Sequence, residues 1–287
     1  MHKFADIKHA FIMEHSAYSK ALIPLVGLLS LSIVAAQVSP EKIASAPPKI
    51  AQPLPFKSGE TLVYEVNFSR YIFSGTIGEL KLSVSDRSDL AKPGPLELNA
   101  EAVSKGFFPS LFGIKVRDRY NSLVDTADFG LLATTKLLDE GKVHREQKSV
   151  IEREARRVTY TDRDLANEKS QPKVKEKPSP SWVQDLLSAI YFVRTQPLKP
   201  GDVVQIPVSE GGEVYNIDVA VVKREEIKTD AGKFKAIQLN AKVFDGRYIR
   251  RSGEMLVWVS DDASRVPVHS RIKVSGTTIT VDLKRKS

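Results

Sequence analysis

The sequence predicts an all-β protein: a large antiparallel sheet, curled into an open barrel or folded as a two-layer sandwich, with one short helix. Three observations carry this. Apolar and polar residues alternate with period two over much of the chain beyond residue 56. Turn signals built on glycine and proline recur between the alternating runs. One segment only has the three- and four-residue spacing of an amphipathic helix.

The chain opens on a segment of another kind. Ala21 to Ala36 form an apolar run preceded by Lys20 and ended by Val34-Ala35-Ala36. A run of this length, interrupted by Pro24, is short of the ~20 residues that span a bilayer. It reads as an export signal over residues 1–36, cleaved after Ala36, with Met13 as a second start that leaves a conventional leader. Residues 37–55 follow with Pro40, Pro47, Pro48, Pro53 and Pro55, and read as an extended tether. Residues 56–287 are then a single β domain, with a disordered loop near 167–180, where charged residues are punctuated by Pro172, Pro178 and Pro180.

Within the domain, Leu62, Tyr64, Val66 and Phe68 alternate with polar neighbours. Leu80, Leu82 and Val84 do the same, as do Tyr215, Ile217, Val219 and Val221. Ile237, Leu239, Ala241 and Val243, and finally Ile279, Val281 and Leu283, continue the pattern. One face of each strand suits a core and the other suits water, as antiparallel sheets require. Roughly a dozen strands are expected, and a sheet of that size must curl, split or close. A turn is expected near Glu154-Ala155-Arg156. The helix is expected over Ser181 to Arg194, capped by Ser179 with Pro180 in its first turn, plugging one end of the curled sheet.

Composition excludes several chemistries. There is no cysteine, so disulfides, thiolate catalysis, cysteine-ligated metals and a lipidated N-terminal cysteine are ruled out. Beyond the leader only His144 and His269 remain, far apart and outside any metal-ligand spacing. No GxSxG elbow or glycine-rich phosphate loop occurs. Asp162-Arg163-Asp164 lacks the glycine and glutamate of a calcium loop and reads as a solvated turn. Glu97 with Glu101, and Asp118 with Asp125, are carboxylate pairs of the kind glycoside hydrolysis uses, without a motif around them. No cofactor or metal is expected. Removing Lys3, Lys8, Lys20, Asp6 and Glu14 with the leader leaves 40 basic against 33 acidic residues, a net charge of +7. That surplus favours contact with anionic membrane surfaces; nucleic acid is excluded by compartment.

The order of several short segments resembles an exported family known as domain of unknown function 3108. They are Gly59-Glu60-Thr61-Leu62-Val63-Tyr64, Val116-Arg117-Asp118-Arg119-Tyr120 with Asp125, and Asp139-Glu140-Gly141 with His144-Arg145. The helix from Asp185 to Arg194, Ala231-Gly232-Lys233-Phe234 and Trp258-Val259-Ser260-Asp261-Asp262 follow. The resemblance implies an all-β exported protein and no agreed activity. Arg117, Asp118, Asp185 and Arg194 fall in its distinctive segments and are expected to form ion pairs fixing strand ends and the helix.

The resulting expectation is a non-enzymatic periplasmic or secreted binding or envelope-assembly factor for a lipid-like ligand or another envelope protein. A structural interaction module is the alternative and a cell-wall hydrolase the third. Candidate ligand-binding residues are Phe107, Phe108, Leu111 and Phe112, in a segment too apolar for an ordinary loop, with Arg117 and Asp118. The same apolar segment would also suit a buried corner of the core.

Overall fold

The computed structural model describes residues 49–87, 94–113, 115–246, 248–249 and 251–287. The expected leader and residues 37–48 of the expected tether lie outside the described residues. Among the described residues the alternating runs become fourteen strands. In the first half these are β1 (Thr61–Arg70), β2 (Phe73–Asp86), β3 (Leu96–Ser104), β4 (Arg117–Val124), β5 (Leu131–Glu140), β6 (Val143–Glu152), β7 (Arg157–Asp164) and β8 (Lys173–Pro178). The second half holds β9 (Val203–Glu210), β10 (Glu213–Thr229), β11 (Gly232–Ala241), β12 (Gly253–Ser260), β13 (Pro267–Val274) and β14 (Thr277–Lys286).

All belong to one antiparallel sheet in the order β8-β7-β6-β5-β4-β3-β2-β1-β14-β13-β12-β11-β10-β9. The two halves are meanders joined where the first strand meets the last, with Tyr64 opposite Leu283 and Val66 opposite Val281. No backbone ladder closes the sheet among the described residues: β8 and β9 are its edges. Side chains draw those edges together. Lys175 of β8 donates to the Gly211 carbonyl at 3.1 Å, and Lys177 lies 3.2 Å from Glu213. The β9–β10 turn fits so closely there that a Cβ on Gly212, whose φ is +78°, would come within 2.8 Å of Lys175 Cδ. The curled sheet is thus an open barrel rather than a two-layer sandwich.

One inner surface runs through Leu62, Leu82, Leu98, Ile206, Ile217, Leu239 and Leu283, all buried. It is stopped at one end by the main helix, α2 (Leu186–Arg194). Phe56, Phe129, Trp182, Tyr191 and Phe192 form an aromatic cluster around it, with successive ring centroids 5.0–6.4 Å apart. Arg194 lies in the same cluster. It donates to both Glu60 carboxylate oxygens at 2.6 and 2.8 Å and to the Ser264 carbonyl, with its guanidinium over the rings of Phe56 and Tyr191.

Several expectations need correction. The helix begins at Leu186, later than expected, and its cap is Asp185 rather than Ser179. The residues before it are drawn into the sheet edge: Gln184 N donates to Pro207 O and Ser209 N to Gln184 O, both at 2.8 Å. The loop expected at 167–180 contains β8, whose Tyr160–Lys175 register continues the sheet. Its prolines mislead because an edge strand tolerates a missing N–H at its end, and its alternating lysines suit a solvent-facing edge. Asp162 and Asp164 lie in β7, not in a turn, and Arg145 grips Asp162 through its Nε at 2.9 Å. Residues 49–55 are docked rather than tethered: Ala51 N donates to Thr195 O at 3.0 Å, and Pro55 O accepts from Arg194. The apolar segment after β3 is a short helix, α1 (Phe107–Phe112), which exposes Phe107 and Leu111 and buries Pro109. The expected turn falls at residues 153–156, where Arg156 adopts a φ of +50°.

Candidate functional site

Alternation along β4 puts Asp118, Tyr120, Ser122 and Val124 on the inner face, and all four are buried. Register then assembles their neighbours. Tyr120 stands opposite Lys136 of β5, and Ser122 opposite Thr134. Curling brings in β9, so that Lys136 donates to Glu210 across the interior. At the end nearest the helix, Ser122 Oγ donates to Asp185 Oδ2 at 2.6 Å. The other carboxylate oxygen of Asp185 accepts from Ser188 N at 2.7 Å, and Ser188 Oγ accepts from Asp185 N at 2.9 Å. This reciprocal capping box is why the helix starts where it does.

Further from the helix, Tyr120 OH donates to Asp118 Oδ2 at 3.2 Å, and the Asp139 backbone N–H donates to Asp118 Oδ1 at 2.9 Å. The result is a polar belt running from the helix cap along β4 and β5. Three buried carboxylates, Asp118, Asp185 and Glu210, share it with one buried ammonium, Lys136. The other buried cation among the described residues, Arg194, is committed to Glu60.

That imbalance sets the protonation of the belt. Burial drives the Asp118 carboxyl up to about 7, and the neighbouring Glu140 adds to the rise against the pull of the Asp139 N–H. Burial also raises Glu210, with Lys136 pulling back and Asp185 adding to the rise. The phenols of Tyr120, Tyr160 and Tyr248 are raised by burial, each with Glu210 contributing, and stay protonated donors. Tyr248 comes from the β11–β12 connection and packs edge-on against Tyr215, with ring centroids 5.2 Å apart. Near neutral pH the belt therefore offers phenolic donors, an ion pair and a carboxyl poised between its two forms.

The sequence-predicted residues divide. Asp118 is in the belt. Arg117, its chain neighbour, points to the opposite face and lies 3.7 Å from Glu101. Phe107 and Leu111 are exposed on α1, at 70% and 57% of their surface. The side chains of Phe108 and Phe112 lie outside the described set. Glu97 is tied to Ser85 and Arg87 and Glu101 to Arg117, and neither reaches the interior. The two histidines pair with carboxylates elsewhere: His144 with Asp139 at 3.0 Å, and His269 with Asp282 at 2.7 Å beneath Trp258. Tyr120, Ser122, Lys136 and Glu210 were not anticipated. The available signal was Asp118-x-Tyr120-x-Ser122, a polar run with strand period that ends on Val124.

Fold and belt together define an open, barrel-like all-β protein with a polar strip on its inner surface. The chain belongs to the family described as protein of unknown function DUF3108, whose model matches residues 63–284. None of the curated proteins matches it. Among solved structures it is similar to a beta-barrel-like protein of domain of unknown function DUF1849 from Brucella abortus, with a TM-score of 0.54 and 8% identity. That match covers 79% of this chain and 96% of the other. A second is a candidate exported protein with a YmcC-like fold from Bacteroides fragilis, with a TM-score of 0.34, 12% identity and 82% and 98% coverage. A candidate lipoprotein from Parabacteroides distasonis has a TM-score of 0.30, 12% identity and 80% and 96% coverage. At these identities the likeness concerns the fold, and of these three the first is close enough to support it.

Proposed function

We propose that this protein is a non-enzymatic binding or assembly factor of the cell envelope, exported by its leader, that holds an amphiphilic, lipid-like ligand against the inner face of the sheet. One observation carries the reading: the inner face is itself amphipathic. The acid-rich belt on β4, β5 and β9 faces the same interior as an apolar wall from β1, β2, β12 and β14. On that wall Phe68, Leu80, Met255 and Val281 are only half-buried. Burying Asp118 and Glu210 with raised pKa values is costly for a fold that could have used apolar residues. Such groups concentrate where a ligand must be oriented. A lipid-like molecule would lay its chain along the wall and its head group against Tyr120, Lys136 and Glu210.

Native mass spectrometry of protein isolated without detergent tests this. The expected result is an adduct that denaturation releases as a phospholipid or fatty acid, depleted in Lys136→Met. A single, sharply defined protein mass overturns the carrier reading and directs attention to protein partners.

A further inference from the structure

Strand order sets which turns share an end. Every neighbouring pair is antiparallel, so the β1–β2, β3–β4, β5–β6 and β7–β8 connections all lie at the end remote from α2. Seven of the eleven exposed large apolar side chains among the described residues gather there, whereas Val203, at the start of β9, is exposed at the opposite end. Tyr71 and Ile72 form the β1–β2 turn at 85% and 89% exposure, and Phe73 follows them. Phe107 and Leu111 lie on α1 between β3 and β4. Val143 follows the β5–β6 turn, and Leu165 leads the β7–β8 connection; both are exposed. At the opposite end, connections 125–130, 153–156, 230–231 and 261–266 hold none of the exposed large apolar residues among the described residues.

The first two tips are held side by side. Lys105 N donates to Ile77 O at 3.0 Å, and a Cβ on Gly106, whose φ is +109°, would collide with the Thr76 carbonyl. That close approach seats α1 against the start of β2, three residues from Phe73. The same four connections are basic. Lys105, Lys115, Lys142 and Lys169 are exposed on them, Lys105 within 3.1 Å of Glu79, and Arg70 at the end of β1 stacks over the Tyr71 ring at 5.4 Å; the acids are Glu168 within the turns and Asp139 and Asp164 exposed at the strand ends.

We infer that this rim docks on the surface of an anionic phospholipid bilayer, with Tyr71, Ile72, Phe107 and Leu111 entering the interface and the lysines meeting phosphate. Separate apolar tips, aromatic at several positions and ringed by cations, suit a soft, charged interface. They suit a flat protein partner less, because each tip protrudes on its own turn. Charge complementarity selects the occupant, since the chain beyond the leader is net +7. The inference does not depend on any ligand in the interior.

The absence of cysteine makes the test specific. Ile72→Cys, labelled with a polarity-sensitive fluorophore in the otherwise full chain, is mixed with vesicles of phosphatidylglycerol and phosphatidylcholine. The expected result is a blue shift that salt weakens and that pure phosphatidylcholine does not reproduce. Val203→Cys, exposed at the opposite end, serves as the control and stays unshifted. Ile72→Asp combined with Phe107→Asp, with an unchanged circular dichroism spectrum, weakens vesicle partitioning about tenfold. No shift at position 72, or an equal shift at position 203, overturns the inference and leaves these tips to a protein partner.

Discussion

Lys136 and Glu210 form a buried ion pair although their strands, β5 and β9, stand ten places apart in the sheet. No ladder connects them; the curl does. The pair is therefore a direct measure of how far the sheet has rolled, and it sits midway along the polar belt.

Removing one partner should be worse than removing both. Lys136→Met leaves Glu210 buried without its cation and is expected to destabilise the protein by about 3–5 kcal/mol. Lys136→Met with Glu210→Leu should recover most of that loss, because an apolar pair of similar volume replaces two desolvated charges. Urea unfolding of the three proteins checks this. A double variant as unstable as the single would mean that the pair contributes more than mutual neutralisation.

Asp118 predicts the pH dependence. An unfolded aspartate titrates near ~3.9, whereas burial holds the folded carboxyl at about 7. Between those values the native state keeps a proton that the unfolded chain has released, so stability falls as pH rises from ~4 to 7. Asp118→Asn, which keeps the acceptor for the Asp139 N–H, should flatten this slope and gain stability relative to the parent near pH 7. Melting temperatures across that range decide it, and parallel curves for the two proteins would refute the assignment.

Arg194 fixes the helix end. Its two bonds to Glu60 and its stacking between Phe56 and Tyr191 need a planar guanidinium, which lysine does not supply. Arg194→Lys is expected to cost about 1.5–3 kcal/mol, the scale of hydrogen bonds to a charged group. Arg194→Met, which strands Glu60, should cost about 3–5 kcal/mol. Calorimetric or denaturant midpoints within error of the parent would contradict both.

Asp185 joins the helix cap to the belt. Asp185→Ala removes the acceptor of Ser188 N and orphans Ser122 Oγ, for a combined loss of about 2 kcal/mol or more. Asp185→Ala in a Ser122→Ala background should cost less, since the orphaned hydroxyl is gone. A double-mutant cycle with zero coupling would separate the cap from the belt.

Much of the architecture was written locally. Period-two runs such as Tyr215-x-Ile217-x-Val219-x-Val221 became strands because alternation decides which face meets water, and that needs no knowledge of the partner strand. The helix was visible in the spacing of Trp182, Leu186 and Ile190, with Leu187 and Val193, yet its start was misplaced. Ser179 and Pro180 look like a cap by local rules, while the parallel bridge from Gln184 to Val208 pulls the preceding residues into the sheet. The edge strand β8 was hidden for a related reason: a lysine-rich, proline-ended segment reads as a loop until a neighbour such as β7 supplies its hydrogen bonds.

The chain by itself thus determined the class of fold, the lack of thiol chemistry and the basic balance, because these follow from composition and from periodicities within a few residues. Only the tertiary structure decided that Asp118 faces inward while Arg117 does not pair with it, and that Glu210 answers Lys136. It also decided that Tyr71 and Phe107 share one rim. Each of these depends on strand order, register or curl, and those are settled by long-range pairing energies that no local stretch of sequence records.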